Sequence, residues 1–105
     1  MPHPMHEAVV DLIQKAVALM DGFLRYQFDL NEYSEKLKAL DVDAVMVTYA
    51  NDFKNDATLV YYLDSLMLLS SLQHELDFQV AEYGANVALE DMRNLLELLK
   101  KFPQA

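Results

Sequence analysis

The chain reads as a single all-α domain, a bundle of four to five helices with a long central helix. Three observations predict it. The only glycines are Gly22 and Gly84, and the three prolines, Pro2, Pro4 and Pro103, lie at the two ends. The interior therefore holds few breaks for long regular elements. Hydrophobic residues make up 53% of the 105 residues, enough for one core and above what disorder allows. Apolar residues also recur at three- and four-residue spacing in five successive segments, the period of a helix face. A chain of this length forms one domain, 1–105, that buries about two-thirds of the surface of its unfolded form.

The first helix is expected over 5–21, where Val9, Ile13, Ala16, Val17 and Met20 line one face. Asp21-Gly22 is its predicted stop, because glycine accepts the left-handed conformation at a helix end. The second begins at Asp29. Glu32 completes the spacing of a capping box, and Phe28 before the cap can staple onto Tyr33. Leu30, Tyr33, Leu37 and Leu40 form its stripe, with a Glu32–Lys36 pair on the solvent side. The third starts near Asp41 or Asp43 and carries Val42, Val45, Met46, Tyr49 and Phe53. Its VMVTY run also alternates as a strand would, but a lone strand would have no partner in a helical chain.

The fourth and longest helix is predicted over 57–83. From 59 to 72 its apolar residues wrap most of the circumference, so it must be covered on several sides or by a second subunit. Gly84 is its expected C-cap. The fifth begins at Asn86 as N-cap, with Leu89, Met92, Leu95, Leu96, Leu99 and Phe102 inward and Lys100-Lys101 at the negative end of the dipole. The short turn between the last two makes them an antiparallel hairpin.

Composition removes several function classes. There is no cysteine, so disulfides, zinc–thiolate sites and thiol catalysis are excluded. The opening MPHPMHE has neither a basic start nor an apolar stretch, and the most apolar run, 57–72, is interrupted by Asp64 and too short to span a bilayer. The expected location is cytoplasmic, away from the membrane. Seventeen acids against eight bases give a net charge of −9, and the only adjacent basic pair is Lys100-Lys101. Phosphate binding needs clustered cations, so nucleic acid is not an expected partner. An acidic surface favours solubility and steers toward basic partners.

Motifs for chemistry are missing. No Glu-x-x-His pair, His-Glu-x-x-His run or calcium loop occurs. His74 and Asp77 share a helix face, a pair that also reads as a half-exposed histidine beside an acid. His3 and His6 lie near the N-terminus, where Pro2 lacks the N–H that an N-terminal copper site would use. Ser65, Ser70 and Ser71 lie mid-helix without a nucleophile elbow. Paired acids, Asp41 with Asp43, Asp52 with Asp56, and Glu90 with Asp91, admit an alternative. A carboxylate-dependent helical metal enzyme, similar to nucleotide pyrophosphohydrolases, would use Glu32, Glu35, Asp52 and Asp56. Glu32-x-x-Glu35 equally reads as a solvated helix start. No catalytic, metal or cofactor-binding residue is assigned, and no cofactor is expected.

The remaining constellation is tyrosine among acids. Tyr61 and Tyr62 are adjacent, with Asp56 and Asp64 on either side. Tyrosine gives large contact area at low entropic cost, and acids around it attract a basic partner. Adjacent helical residues point about 100° apart, so one ring should be buried and the other exposed. The ten-residue run DATLVYYLDS resembles the Tyr-Tyr-acid segment of nuclease-colicin immunity proteins, small acidic four-helix inhibitors of basic toxins. The resemblance implies partner contact by Tyr61, Tyr62 and Asp64. That family has a proline-containing short turn after its tyrosines, whereas this chain continues as a long helix. The expected function is therefore a non-enzymatic module binding a basic protein partner through Tyr61, Tyr62, Asp56 and Asp64. A structural homo-oligomer is a further expectation: the 59–72 belt predicts a homodimer, with Tyr61 and Leu68 as surplus apolar surface.

Overall fold

The computed structural model describes residues 4–102, Asp77 through its backbone alone. His3, Pro2, Pro103 and the Asp77 side chain of the His74–Asp77 pair lie outside what is described. Among the described residues the chain is helical and contains no strand. It forms α1 (Met5–Leu24), α2 (Leu30–Lys38), α3 (Val42–Thr48), α4 (Ala50–Asn55), a 3-10 turn (Ala57–Leu59), α5 (Val60–Tyr83) and α6 (Asn86–Lys100).

The all-α bundle is as the periodicity predicts, and α5 is its centre. It packs against α1, α2, α3 and α6, which explains why its apolar residues go nearly all the way round. Tyr62, Leu66, Leu69, Leu72 and Leu76 of α5 are buried against Val9, Ile13, Ala16 and Met20 of α1, Leu37 of α2 and Leu95 of α6. Each such aliphatic side chain contributes roughly 1.5–3 kcal/mol on burial. The molecule is elongated, 39 × 23 × 20 Å.

Helix α1 does not stop at Gly22. The Phe28 ring folds back over that glycine, and a Cβ there would lie 2.7 Å from Phe28 Cζ. Gly22 is therefore a close-approach site inside the helix. The helix ends two residues later, at Leu24, with Tyr26 in the left-handed region at φ 62°. The Tyr26 N–H donates to Phe23 O at 3.1 Å and the Gln27 N–H to Gly22 O at 2.9 Å, the two bonds of a Schellman motif. Tyrosine thus stands where glycine is usual.

The α2 start forms as its sequence predicts. Asp29 Oδ1 accepts the Glu32 N–H at 2.9 Å, and Phe28 meets Tyr33 with ring centroids 6.3 Å apart. The expected Glu32–Lys36 ion pair is not among those of the described residues. Lys36 Nζ lies instead 5.8 Å from the Phe28 ring centroid, a cation–π placement.

The third predicted helix is split in two at Tyr49 (φ −108°, ψ 18°). Just before the break the Thr48 hydroxyl donates back to Ala44 O at 2.7 Å, a contact that bends helices. Gly84 caps α5 as expected, at φ 81° and ψ 178°, a region open essentially to glycine alone. That turn is so tight that Ala85 is already helical, and Ala85 takes the N-cap position without a side-chain cap. Asn86, the expected cap, is the first residue inside α6.

Candidate functional site

The start of α5 is set by Asp56. Its carboxylate accepts both the Thr58 N–H at 3.0 Å and the Thr58 hydroxyl at 2.6 Å, which closes the 3-10 turn. Asp56 therefore has a structural role beside any contact role. Val60 and Tyr61 follow, 46% and 37% exposed. Asp64, one turn beyond Tyr61 on the same face, is exposed.

The two tyrosines separate. Tyr62 is fully buried. Its hydroxyl and His6 Nδ1 lie 2.7 Å apart, and its ring packs on Phe102 with centroids 4.3 Å apart. Burial pushes its hydroxyl pKa up. This cluster ties the start of α1 to the start of α5 and the end of α6. In this conformation Tyr62 offers no surface to a partner, a correction to its place among the contact residues: the helix angle that exposes Tyr61 turns Tyr62 inward. Tyr61 is only partly exposed, and Lys101 Nζ stands 6.0 Å from its ring centroid. The Tyr61 carbonyl accepts the buried Ser65 hydroxyl at 2.9 Å, so that mid-helix serine is satisfied within its own helix.

Beside Tyr61 lies a feature the periodicity did not reveal. Phe53 of α4, the 3-10 turn residues Ala57 and Leu59, and Val60 and Leu63 of α5 line an open, mainly apolar pocket of about 340 Å³, with Asp56 on its lip. It lies where α4, the 3-10 turn and the start of α5 meet. In sequence, only the strand-like alternation of the VMVTY run marked this part of the chain as irregular.

The carboxylates of the enzyme alternative do not converge. Glu32 and Glu35 belong to α2 and Asp52 to α4, and among the described residues no three His, Asp or Glu side chains are grouped so as to hold a metal ion. Asp41, Asp43, His74 and Lys38 do line one polar pocket of about 260 Å³. Its floor is Gln73, whose Nε2 donates to Leu37 O at 2.9 Å and Leu40 O at 2.7 Å, closing the end of α2.

The other candidate features are at the opposite end of the molecule. Tyr26 and Tyr83 are 94% and 69% exposed there. Tyr33 of α2 is buried, stacked on Phe23 at 4.8 Å, and its hydroxyl has no hydrogen-bond partner. Burial, and then the nearby Asp91 charge, push its pKa well up. Asp91 is itself raised, first by burial and then by Glu90. No helix among the described residues is long and apolar enough to cross a membrane. No protein-family model, curated protein or solved structure matches the chain.

Proposed function

We propose that the chain is a small, acidic, non-enzymatic interaction module that binds a basic protein partner; an inhibitor or immunity-type antidote to a basic toxin is one instance. The observation that carries this reading is the α4–α5 corner. An apolar pocket able to receive an anchoring side chain lies there beside the partly exposed Tyr61, with Asp56 on the lip and Asp64 one turn along. Apolar anchors ringed by polar groups are the usual anatomy of a contact hot spot. The Lys101 ammonium over the Tyr61 ring supports the view that this face accepts a cation. Tyr62 contributes indirectly, by fixing the α5 start from below. The reading places the module in the cytoplasm, which cell fractionation checks.

Affinity capture from an extract of the native organism tests it. A basic protein should be retained by the wild type and lost with Tyr61→Ala, while that variant melts close to the wild type. Capture of only acidic proteins, or capture indifferent to Tyr61, would contradict it. A toxin gene beside the coding gene would support the antidote instance, and a metabolic operon would count against it.

One observation favours a homo-oligomer as a second reading. Val60, Met67 and Phe78 are exposed at 46%, 54% and 65%, and their spacing puts them on one stripe of α5. Half-buried Leu68 does not belong to it. A dimer should appear in light scattering at high protein concentration and be lost with Met67→Glu; a monomer throughout would refute it.

A further inference from the structure

His6 of α1 meets Phe102, just beyond α6, and Tyr62 at the start of α5. Helix α1 therefore runs antiparallel to α6 and parallel to α5, and the α1–α2 and α5–α6 turns share the far end of the bundle. Two of the most exposed aromatic side chains stand on those turns, Tyr26 and Tyr83. Tyr26 occupies the left-handed position of the α1 stop, where an L-residue carries a conformational cost that glycine avoids. The side chain held there reaches no other part of the fold.

The same end carries Glu82, Glu90 and Asp91, which have no ion-pair partner among the described residues, while two nearby cations are engaged: Arg25 pairs with Asp21 at 3.1 Å and Lys36 stands over the Phe28 ring. Arg93, one turn beyond Glu90, forms no ion pair with it. The buried, unpartnered Tyr33 hydroxyl lies within electrostatic reach of Asp91. Burial and Glu90 disfavour the Asp91 charge, a penalty that a cation from outside would relieve.

We propose that this turn end is a docking surface for a lysine- and arginine-bearing segment of a partner protein, with Tyr26 and Tyr83 as anchors and Glu82, Glu90 and Asp91 as the anionic rim. Tyrosine faces bind guanidinium and ammonium groups, and unpaired carboxylates beside them complete the match in charge. The proposal rests on the reading of the chain as a receiver of basic protein, but not on the α4–α5 corner, which lies at the other end.

A titration of the ¹⁵N-labelled protein with a short arginine- and lysine-rich peptide, followed by amide shifts, separates the two. The largest shifts are expected at Tyr26, Tyr83 and residues 82–91. Tyr26→Gly should raise the melting temperature and weaken the peptide about tenfold, and Tyr83→Ser should weaken it without unfolding. Shifts confined to 56–64, or spread evenly over every acidic face, would overturn this location while leaving the basic-partner reading standing. No binding at any face would remove both. Binding unchanged in Tyr26→Gly and Tyr83→Ser would also overturn it.

Discussion

Tyr61 and Tyr62 are neighbours in sequence yet belong to different environments, and their truncations should behave differently. Tyr62→Ala removes a ring packed on Phe102 and a hydroxyl bonded to His6, and should destabilise the fold by about 3–5 kcal/mol. Tyr61→Ala, on a partly exposed ring, should cost roughly 1 kcal/mol or less by the same area reasoning. Thermal melts of the two variants check this; equal losses would contradict the burial difference. That the pair would split was legible, because it follows from the helix angle alone. Which ring turns inward was not, since His6 and Phe102 are more than 35 residues away in sequence. Asp91 gives a prediction in pH. Its folded-state pKa lies above the ordinary 3.8, through burial and then Glu90. The native state thus holds the proton more readily than the unfolded chain. Its contribution is present below 3.8 and is lost as pH rises through the folded value. Asp91→Asn should therefore raise the melting temperature at neutral pH, with the gain vanishing toward pH ~3. A gain independent of pH would show that something other than ionisation is at work.

At the scale of elements, local chemistry was readable and distant chemistry was not. The Asp29 cap and the Phe28–Tyr33 staple lie within one turn of α2, so spacing alone gave them. The α1 stop was misplaced because the Phe28 ring makes Gly22 a packing site, and the α3–α4 break falls beside a single threonine hydroxyl bonded back to Ala44 O. The far end of α2 is closed by Gln73 from α5, which looked like one more polar residue on a long helix. Gln73→Ala should remove the side-chain donor from Leu37 O and Leu40 O, which keep only the Leu40 and Val42 N–H groups, and destabilise the protein by about 1–2 kcal/mol. Hydrogen exchange should then quicken in α2 before α6; uniform exchange would deny Gln73 that specific role. Tyr26 shows the opposite economy, since glycine at its position would relieve roughly 1–2 kcal/mol of left-handed strain.

At the scale of the molecule, the two candidate surfaces lie at opposite ends of a 39 Å bundle. One end holds the apolar pocket, Tyr61 and Asp64; the other holds Tyr26, Tyr83 and the unpaired carboxylates. The net charge of −9 was visible at once. Its distribution required the topology, because Tyr26 and Glu90 are brought to one end only by α1 running antiparallel to α6. The absence of converging carboxylates among the described residues likewise emerges only in three dimensions. Both contact surfaces depend on one claim, that an acidic bundle receives a basic protein by charge as well as by aromatic contact. The direct test is the dissociation constant of the captured partner, measured across ~0.05 to ~0.5 M salt, over which the Debye length shortens from roughly 14 to 4 Å. The expected result is a basic partner whose affinity weakens steadily as salt rises. An affinity unchanged by salt, or strengthened by it, would contradict the account.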